Sequence, residues 1–273
     1  MADCRARREH LRGCSVVDLL LGKEQWRAMT EREWETTPDP DALLDLLECV
    51  GNFSERKLRL YAAAVCRRIW HALIDECSRE GVETAERYAD GMASREQLRA
   101  AHDAVAPKPT EYLEPSAQTL DGYLHLTGRD AVAAATETLV FAGSNTAVDA
   151  ARGAARFAAD AASAVDVFAT GENEVKGNSD TFHSESMVQS GILRDVVGTP
   201  FRPTPAIDPA WRTPDVLTLA QRVYHHRSFD RLPELAVALA EAGCDDAQLL
   251  GHLRAEGPHV RGCWTLDAVL GKA

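Results

Sequence analysis

Two cysteines and two histidines near the end of the chain form the residue set best suited to chemistry. Cys244, His252, His259 and Cys263 offer two thiols and two imidazoles, the donor types that tetrahedral zinc prefers. His259 and Cys263 are four residues apart, and turns on either side of His252 could bring all four together. The alternative is that both thiols are core residues and that His259 hydrogen-bonds a helix end. Zinc at this site is the only cofactor that the sequence suggests.

A second candidate site is basic and concerns interaction. Its residues are Arg56, Arg59, Arg67 and Arg202. The first three lie opposite the apolar stripe of one predicted helix, where they could dock an acidic segment or a phosphate. Alternatively, they are paired with the chain's own surplus carboxylates. Arg202 lies between two prolines, and we expect it to pair with Asp195 or Asp208.

Catalytic motifs are missing from the sequence. It contains no P-loop, no GxGxxG after a strand, no HExxH, no GxSxG and no EF-hand loop. His225 and His226 could act in acid–base chemistry, but adjacent helical residues point in different directions. We therefore predict a non-catalytic interaction or scaffold module. The alternative is a metal-binding protein or enzyme that uses the C-terminal cysteine and histidine cluster, and catalytic activity is left open.

Composition narrows the class of protein further. The chain has 273 residues and a net charge of −12, which disfavours non-specific binding to nucleic acid. It has neither an apolar run long enough to span a membrane nor a signal-peptide core at its start. The seven cysteines are odd in number and form no CxxC pair, as in reduced intracellular thiols. We expect a cytoplasmic protein whose partner is another protein or a second copy, with no nucleic-acid or membrane partner; a small-molecule ligand is unknown.

Helical periodicity dominates the chain and predicts an all-α fold, a compact irregular array of about ten to twelve short helices. Asp39 before Pro40, the Ser94–Gln97 capping box and Thr213 before Pro214 mark helix starts, and Asp245 is predicted to cap a helix over 247–254. Leu58 begins an apolar stripe that continues to Leu73. Separate helices are predicted over 116–126 and 129–142, and an alanine-rich hairpin turns at 143–145.

Proline content and an internal repeat suggest the domain limits. Residues 10–23 match residues 259–272 at eight of fourteen positions. This repeat indicates that 1–28 is the duplicated tail of a neighbouring copy or an N-terminal extension. The proline-rich stretch 199–214 is predicted to connect an N-terminal helical subdomain, 29–198, to a C-terminal one, 215–273.

Several short motifs are typical of one family. They are MTEREW at 29–34, RKLRL at 56–60, CRRIW at 66–70, GTPFRP at 198–203, FDRLP at 229–233 and the HVRGC tail at 259–263. In these motifs the chain resembles a much-expanded paralogous family of uncharacterised bacterial helical proteins. The resemblance covers most of 29–273, and family members usually begin at the position of Met29. The family has no established activity, so the resemblance implies no catalytic residues.

Overall fold

A computed structural model describes residues 29–51, 54–108, 110–136, 146–170 and 179–272. These ranges contain twelve α-helices and no strand, which confirms the all-α prediction. The helices belong to one compact unit that begins at Glu31. None of them combines the length and the apolar character that a membrane crossing requires. The predicted tail or extension, 1–28, lies outside the described residues.

The twelve described helices are between 6 and 25 residues long. They are α1 (Glu31–Thr36), α2 (Pro40–Val50), α3 (Glu55–Arg68), α4 (Glu76–Ala89), α5 (Arg95–Val105), α6 (Leu120–Ala135), α7 (Thr146–Thr170), α8 (Ser179–Val197), α9 (Pro214–His226), α10 (Leu232–Glu241), α11 (Ala247–Arg254) and α12 (Trp264–Leu270).

Helix α3 is the centre of the larger core, where it contacts α4, α6, α7 and α8. Its apolar stripe includes Leu58 and Val65, which are fully buried. The helix ends at Arg68, although the predicted stripe continues to Leu73. Ile69 and Leu73 are nevertheless buried, because the turn after the helix folds them into the same core.

Small residues allow the alanine-rich helices α6 and α7 to pack closely. A Cβ atom at Gly153 of α7 would approach the Cβ of Ala134 to 2.9 Å. Helix α6 is continuous over Leu120–Ala135, so the prediction of two helices here is wrong. Gly128 lies inside α6, and a Cβ at this position would lie 3.1 Å from Leu73, so close packing explains a glycine that sequence reasoning treats as a break. The predicted hairpin turn at 143–145 lies outside the described residues.

The last four helices share a second apolar core that includes Val223, Leu235, Leu253 and Leu266. Helix α12 contacts α9 and α11 and also reaches α8 of the larger core. The predicted subdomains 29–198 and 215–273, with the connector 199–214, stay a prediction.

Side-chain caps fix most of the helix starts that the sequence indicates. Asp39 accepts the backbone N–H of Asp41, and Ser94 and Gln97 form the predicted reciprocal capping box. The predicted cap of α11 is wrong, because Asp246 rather than Asp245 accepts the backbone N–H of Leu249, at 2.8 Å. Asp245 is one residue too early for its carboxylate to serve the first turn.

Candidate metal centre

Four potential metal ligands converge where α8 meets the C-terminal helices. Asp195 lies near the end of α8, His252 is on α11, and His259 and Cys263 flank the turn that leads into α12. One donor atom from each residue lies within 4.8 Å of the donor atoms of the other three. The four donor atoms are therefore close enough to one another to bind one metal ion.

Asp195 is the buried hub of this cluster, with only 4% of its surface exposed. Its Oδ1 atom lies 2.6 Å from His259 Nδ1 and 3.0 Å from His252 Nε2, and its Oδ2 accepts the backbone N–H of Val260 at 3.0 Å. Burial alone would raise the pKa of Asp195. The hydrogen bonds from the two histidines outweigh burial and hold the pKa below its usual range.

His259 is held between two hydrogen-bond acceptors. Nδ1 faces the Asp195 carboxylate, and Nε2 lies 3.1 Å from the carbonyl oxygen of Ala255. Neither oxygen can donate, so both ring nitrogens carry protons in this arrangement. Burial opposes the charged ring, but the hydrogen bond and charge of Asp195 raise the pKa of His259. With Nε2–H anchored on a carbonyl, Nδ1 is oriented as metal-bound histidines are, and a metal would replace its proton.

The sulfur donor comes from Cys263, which is completely buried just before α12. Its Sγ lies 3.3 Å from His252 Nε2. Burial and the nearby Asp195 carboxylate raise the pKa of Cys263 well above its ordinary value, so the group is a thiol until a metal displaces its proton. The ring of His252 makes an edge contact with the His259 ring, 5.0 Å between centroids, and a tilted contact with the Trp264 ring, 4.9 Å between centroids.

Three of the four residues proposed from the sequence meet in this cluster. His252, His259 and Cys263 come together, whereas Cys244 lies in the C-terminal core, where its backbone N–H donates to Leu239. Asp195 takes the fourth position, and sequence reasoning missed it as a ligand. The available signal was its register on α8, since Asp195 lies three residues after the buried Ile192 and thus falls on an apolar face.

Carboxylates of this same chain pair with the basic residues of the second candidate site. On α3, Arg56 lies 2.6 Å from Asp267, Arg59 lies 2.9 Å from Glu55, and Arg67 lies 2.6 Å from Glu86. These three side chains are mostly buried rather than spread over a solvent-exposed face.

The predicted partners of Arg202 are wrong. Arg202 pairs with Glu31, with Nε 2.8 Å from Oε1, and with neither Asp195 nor Asp208. Asp195 is hydrogen-bonded to His252 and His259 instead, and Asp208 accepts the backbone N–H of Ala210 at the start of a short 3₁₀ turn. His225 and His226 are both exposed at the end of α9, apart from the metal-ligand cluster.

A cleft of about 240 Å³ lies beside the metal-ligand cluster. His252 and Trp264 form one part of its wall, and Trp34, Arg194 and Pro203 are also among its lining residues. Trp34 is fixed by an indole N–H that donates to the carbonyl of Gly198 at 3.1 Å. His252 is thus the member of the cluster that borders this cleft.

Comparison of the chain with protein-family models, with curated proteins and with solved structures gave no match.

Proposed function

We propose that this protein binds one zinc ion through Asp195, His252, His259 and Cys263, and that the ion fastens the C-terminal helices to α8 of a non-catalytic helical module. The observation that carries the proposal is the convergence of four donor atoms within 4.8 Å. Two imidazole nitrogens, one sulfur and one carboxylate oxygen are all established zinc donors.

Charge and donor type favour zinc over other common cations. A thiolate and a carboxylate together neutralise the two positive charges of the ion, so the centre is neutral overall, as a buried site requires. Magnesium and calcium prefer sets made of oxygen donors alone, whereas the sulfur of Cys263 favours a softer metal. Four protein donors complete a tetrahedron and leave no position for water or substrate, which is typical of structural rather than catalytic zinc.

Position in the chain supports a fastening role for the ion. Asp195 is 57 residues before His252 and 64 before His259, and its partners all belong to the C-terminal segment. A metal bonded to all four would close this long loop and hold α8 against α11 and the turn before α12. The interaction or scaffold role predicted from the sequence stays a prediction, and a closed structural site is compatible with it.

Zinc titration of the full chain tests the proposal, with Cys263→Ala as the critical variant and Cys244→Ala as its matched control. Both cysteines are buried, but only Cys263 belongs to the cluster. We expect one zinc per chain in the wild type and in Cys244→Ala, and a large loss of affinity in Cys263→Ala. Cobalt in place of zinc should give the visible absorption of a tetrahedral ion with a thiolate ligand, lost in Cys263→Ala alone. Failure of the wild type to bind zinc, or equal binding by Cys263→Ala, would refute the proposal.

A further inference from the structure

Three arginines converge on one buried glutamate at a second cluster, the Glu86 cluster, made of Glu86, Arg67, Arg227 and Arg261. Arg67 of α3 makes a two-pronged contact, with Nε 2.6 Å from Oε1 and Nη2 3.0 Å from Oε2. Arg261 Nη1 lies 3.4 Å from the same Oε2, and Arg227 Nη2 also donates to it. Four different elements of the fold supply these residues, so tertiary packing holds the charges together.

The Glu86 cluster has more positive than negative charge. Three guanidinium groups against one carboxylate leave a net charge of +2, and Glu86 is the only carboxylate that the described residues place in an ion pair with any of the three. Burial, together with the neighbouring Arg67 and Arg261, lowers the pKa of Arg227, despite its contact with Glu86. Such an excess is unusual in an acidic protein, because surplus carboxylates were available to balance it.

The neighbouring ion-pair network cannot supply the missing negative charge. Its members are Arg56, Lys57, Asp90, Asp267 and Lys272. These three cations already outnumber the two carboxylates that they surround. The region where α3 and α4 meet α12 and the turn before it is thus basic, although the chain as a whole is acidic.

Unsatisfied donors within the Glu86 cluster are a second and independent observation. The Nε atoms of Arg227 and Arg261 are buried, and among the described residues neither has a hydrogen-bond partner. Buried polar groups in native proteins are rarely left unpaired, and an exception calls for a partner such as water or an ion. An oxyanion that draws these two guanidinium groups toward it would supply acceptors where acceptors are lacking.

The arginines are also held in place in advance of any ligand. The Arg67 guanidinium lies 4.7 Å from the centre of the Trp70 ring, and that of Arg261 lies 5.0 Å from the Tyr224 ring. Arg227 has a left-handed backbone with φ of 52°, the only non-glycine residue in the described ranges with positive φ. Glycine is favoured at such a position after a helix, so the arginine is kept against the backbone preference.

We propose that the Glu86 cluster binds a phosphate dianion, either free phosphate or a phosphate monoester, through Arg227 and Arg261. A phosphate carries a charge of about −1.5 to −2 at pH 7, which matches the net charge of +2. Its several oxygens suit the fixed, fork-shaped donors of arginine. Arg227 is the most exposed of the three arginines and therefore marks the side from which the ligand enters.

The test is calorimetric titration of the full chain with sodium phosphate and with glycerol 3-phosphate, at constant ionic strength set by sodium chloride. Arg227→Gly removes one guanidinium group, and the left-handed backbone suits glycine, so this variant is expected to fold. Arg231→Gln is the matched control, because Arg231 is partly exposed and, within the described part of the chain, its one ion pair is with Glu234. We expect the wild type to bind at least one of the two phosphates. Arg231→Gln should bind that phosphate with the affinity of the wild type, and Arg227→Gly should bind it at least about tenfold more weakly.

Three outcomes would overturn the assignment. They are no binding of either phosphate by the wild type, unchanged binding by Arg227→Gly, and preferential binding of a glutamate-rich peptide over both phosphates. Chloride at matched ionic strength separates a phosphate site from general attraction of anions. The zinc proposal involves none of these residues, so either proposal can fail without the other.

Discussion

Replacing Asp195 by asparagine removes the charge at the hub of the metal-ligand cluster and keeps the shape of the side chain. The amide retains one oxygen, which can accept the backbone N–H of Val260, but it loses the carboxylate that faces His252 and His259. Hydrogen bonds to charged groups contribute about 1.5–3 kcal/mol each. Breaking one side of a buried ion pair costs about 3–5 kcal/mol.

His259 limits this loss, because its ring can release a proton instead of remaining an unpaired buried cation. We therefore expect Asp195→Asn to lower the free energy of unfolding of the metal-free protein by about 3 kcal/mol. For a domain of this size, the melting temperature falls by about 2–4 °C per kcal/mol, or by about 6–12 °C in total.

Thermal and urea denaturation of the chelator-treated full chain measure this loss, and Asp245→Asn is the matched control. Asp245 is exposed, so its substitution should change stability by less than about 0.5 kcal/mol. A second series with added zinc separates the hub from the metal. At about 100 times its dissociation constant, zinc stabilises the wild type by about 2.7 kcal/mol, and it should stabilise Asp195→Asn much less. Equal melting temperatures of Asp195→Asn and Asp245→Asn, both with and without zinc, would refute this reasoning.

Further predictions concern a helix cap, a titrating histidine and a buried thiol. Asp246→Ala should lower the free energy of unfolding by about 1 kcal/mol and Asp245→Ala should not, since only Asp246 caps α11; the reverse order would restore the cap predicted from sequence. The raised pKa of His259 means that its protonation stabilises the chelator-treated fold below pH about 6.5 and that this contribution is lost as pH rises through the folded-state pKa. His259→Gln should remove that pH dependence of unfolding, and its persistence would assign it to another group. Cys66 is fully buried with its pKa raised to about 12, so iodoacetamide at pH 8 should label the exposed Cys49 and leave Cys66 unlabelled until the protein unfolds, as mass spectrometry of peptides would show.

Local features of the fold are predictable from sequence because their causes lie within one turn of helix. The Ser94–Gln97 capping box involves side chains three residues apart, and Thr213 caps the helix that Pro214 begins. The Asp245 prediction failed by one residue, because both neighbours are aspartates and only the backbone path selects between them. Gly128 shows the limit of local reasoning, since its cost within α6 is offset by packing against a distant turn.

The candidate site shows the same limit. Its locally spaced ligands could be predicted from sequence, and its long-range ligand could not. His252, His259 and Cys263 fall within twelve residues, and their donor types together with this short separation predict a shared site. Asp195 reaches them only because α8 packs beside the C-terminal turn, a long-range fact that no local pattern contains. The same holds for Arg56, whose carboxylate partner Asp267 is 211 residues away, so that a basic face in sequence becomes an internal ion-pair network.

X-ray absorption at the zinc edge of the zinc-loaded full chain tests the central claim most directly, because it counts the ligand types around the metal. The proposed site predicts one sulfur at about 2.3 Å, from Cys263, and three nitrogen or oxygen neighbours at about 2.0–2.2 Å, with one zinc per chain. The sulfur should vanish in Cys263→Ala and remain in Cys244→Ala. A coordination shell without sulfur would contradict the assignment of Cys263 as a ligand, and one with two sulfurs would contradict the assignment of Asp195 rather than Cys244 as the fourth ligand.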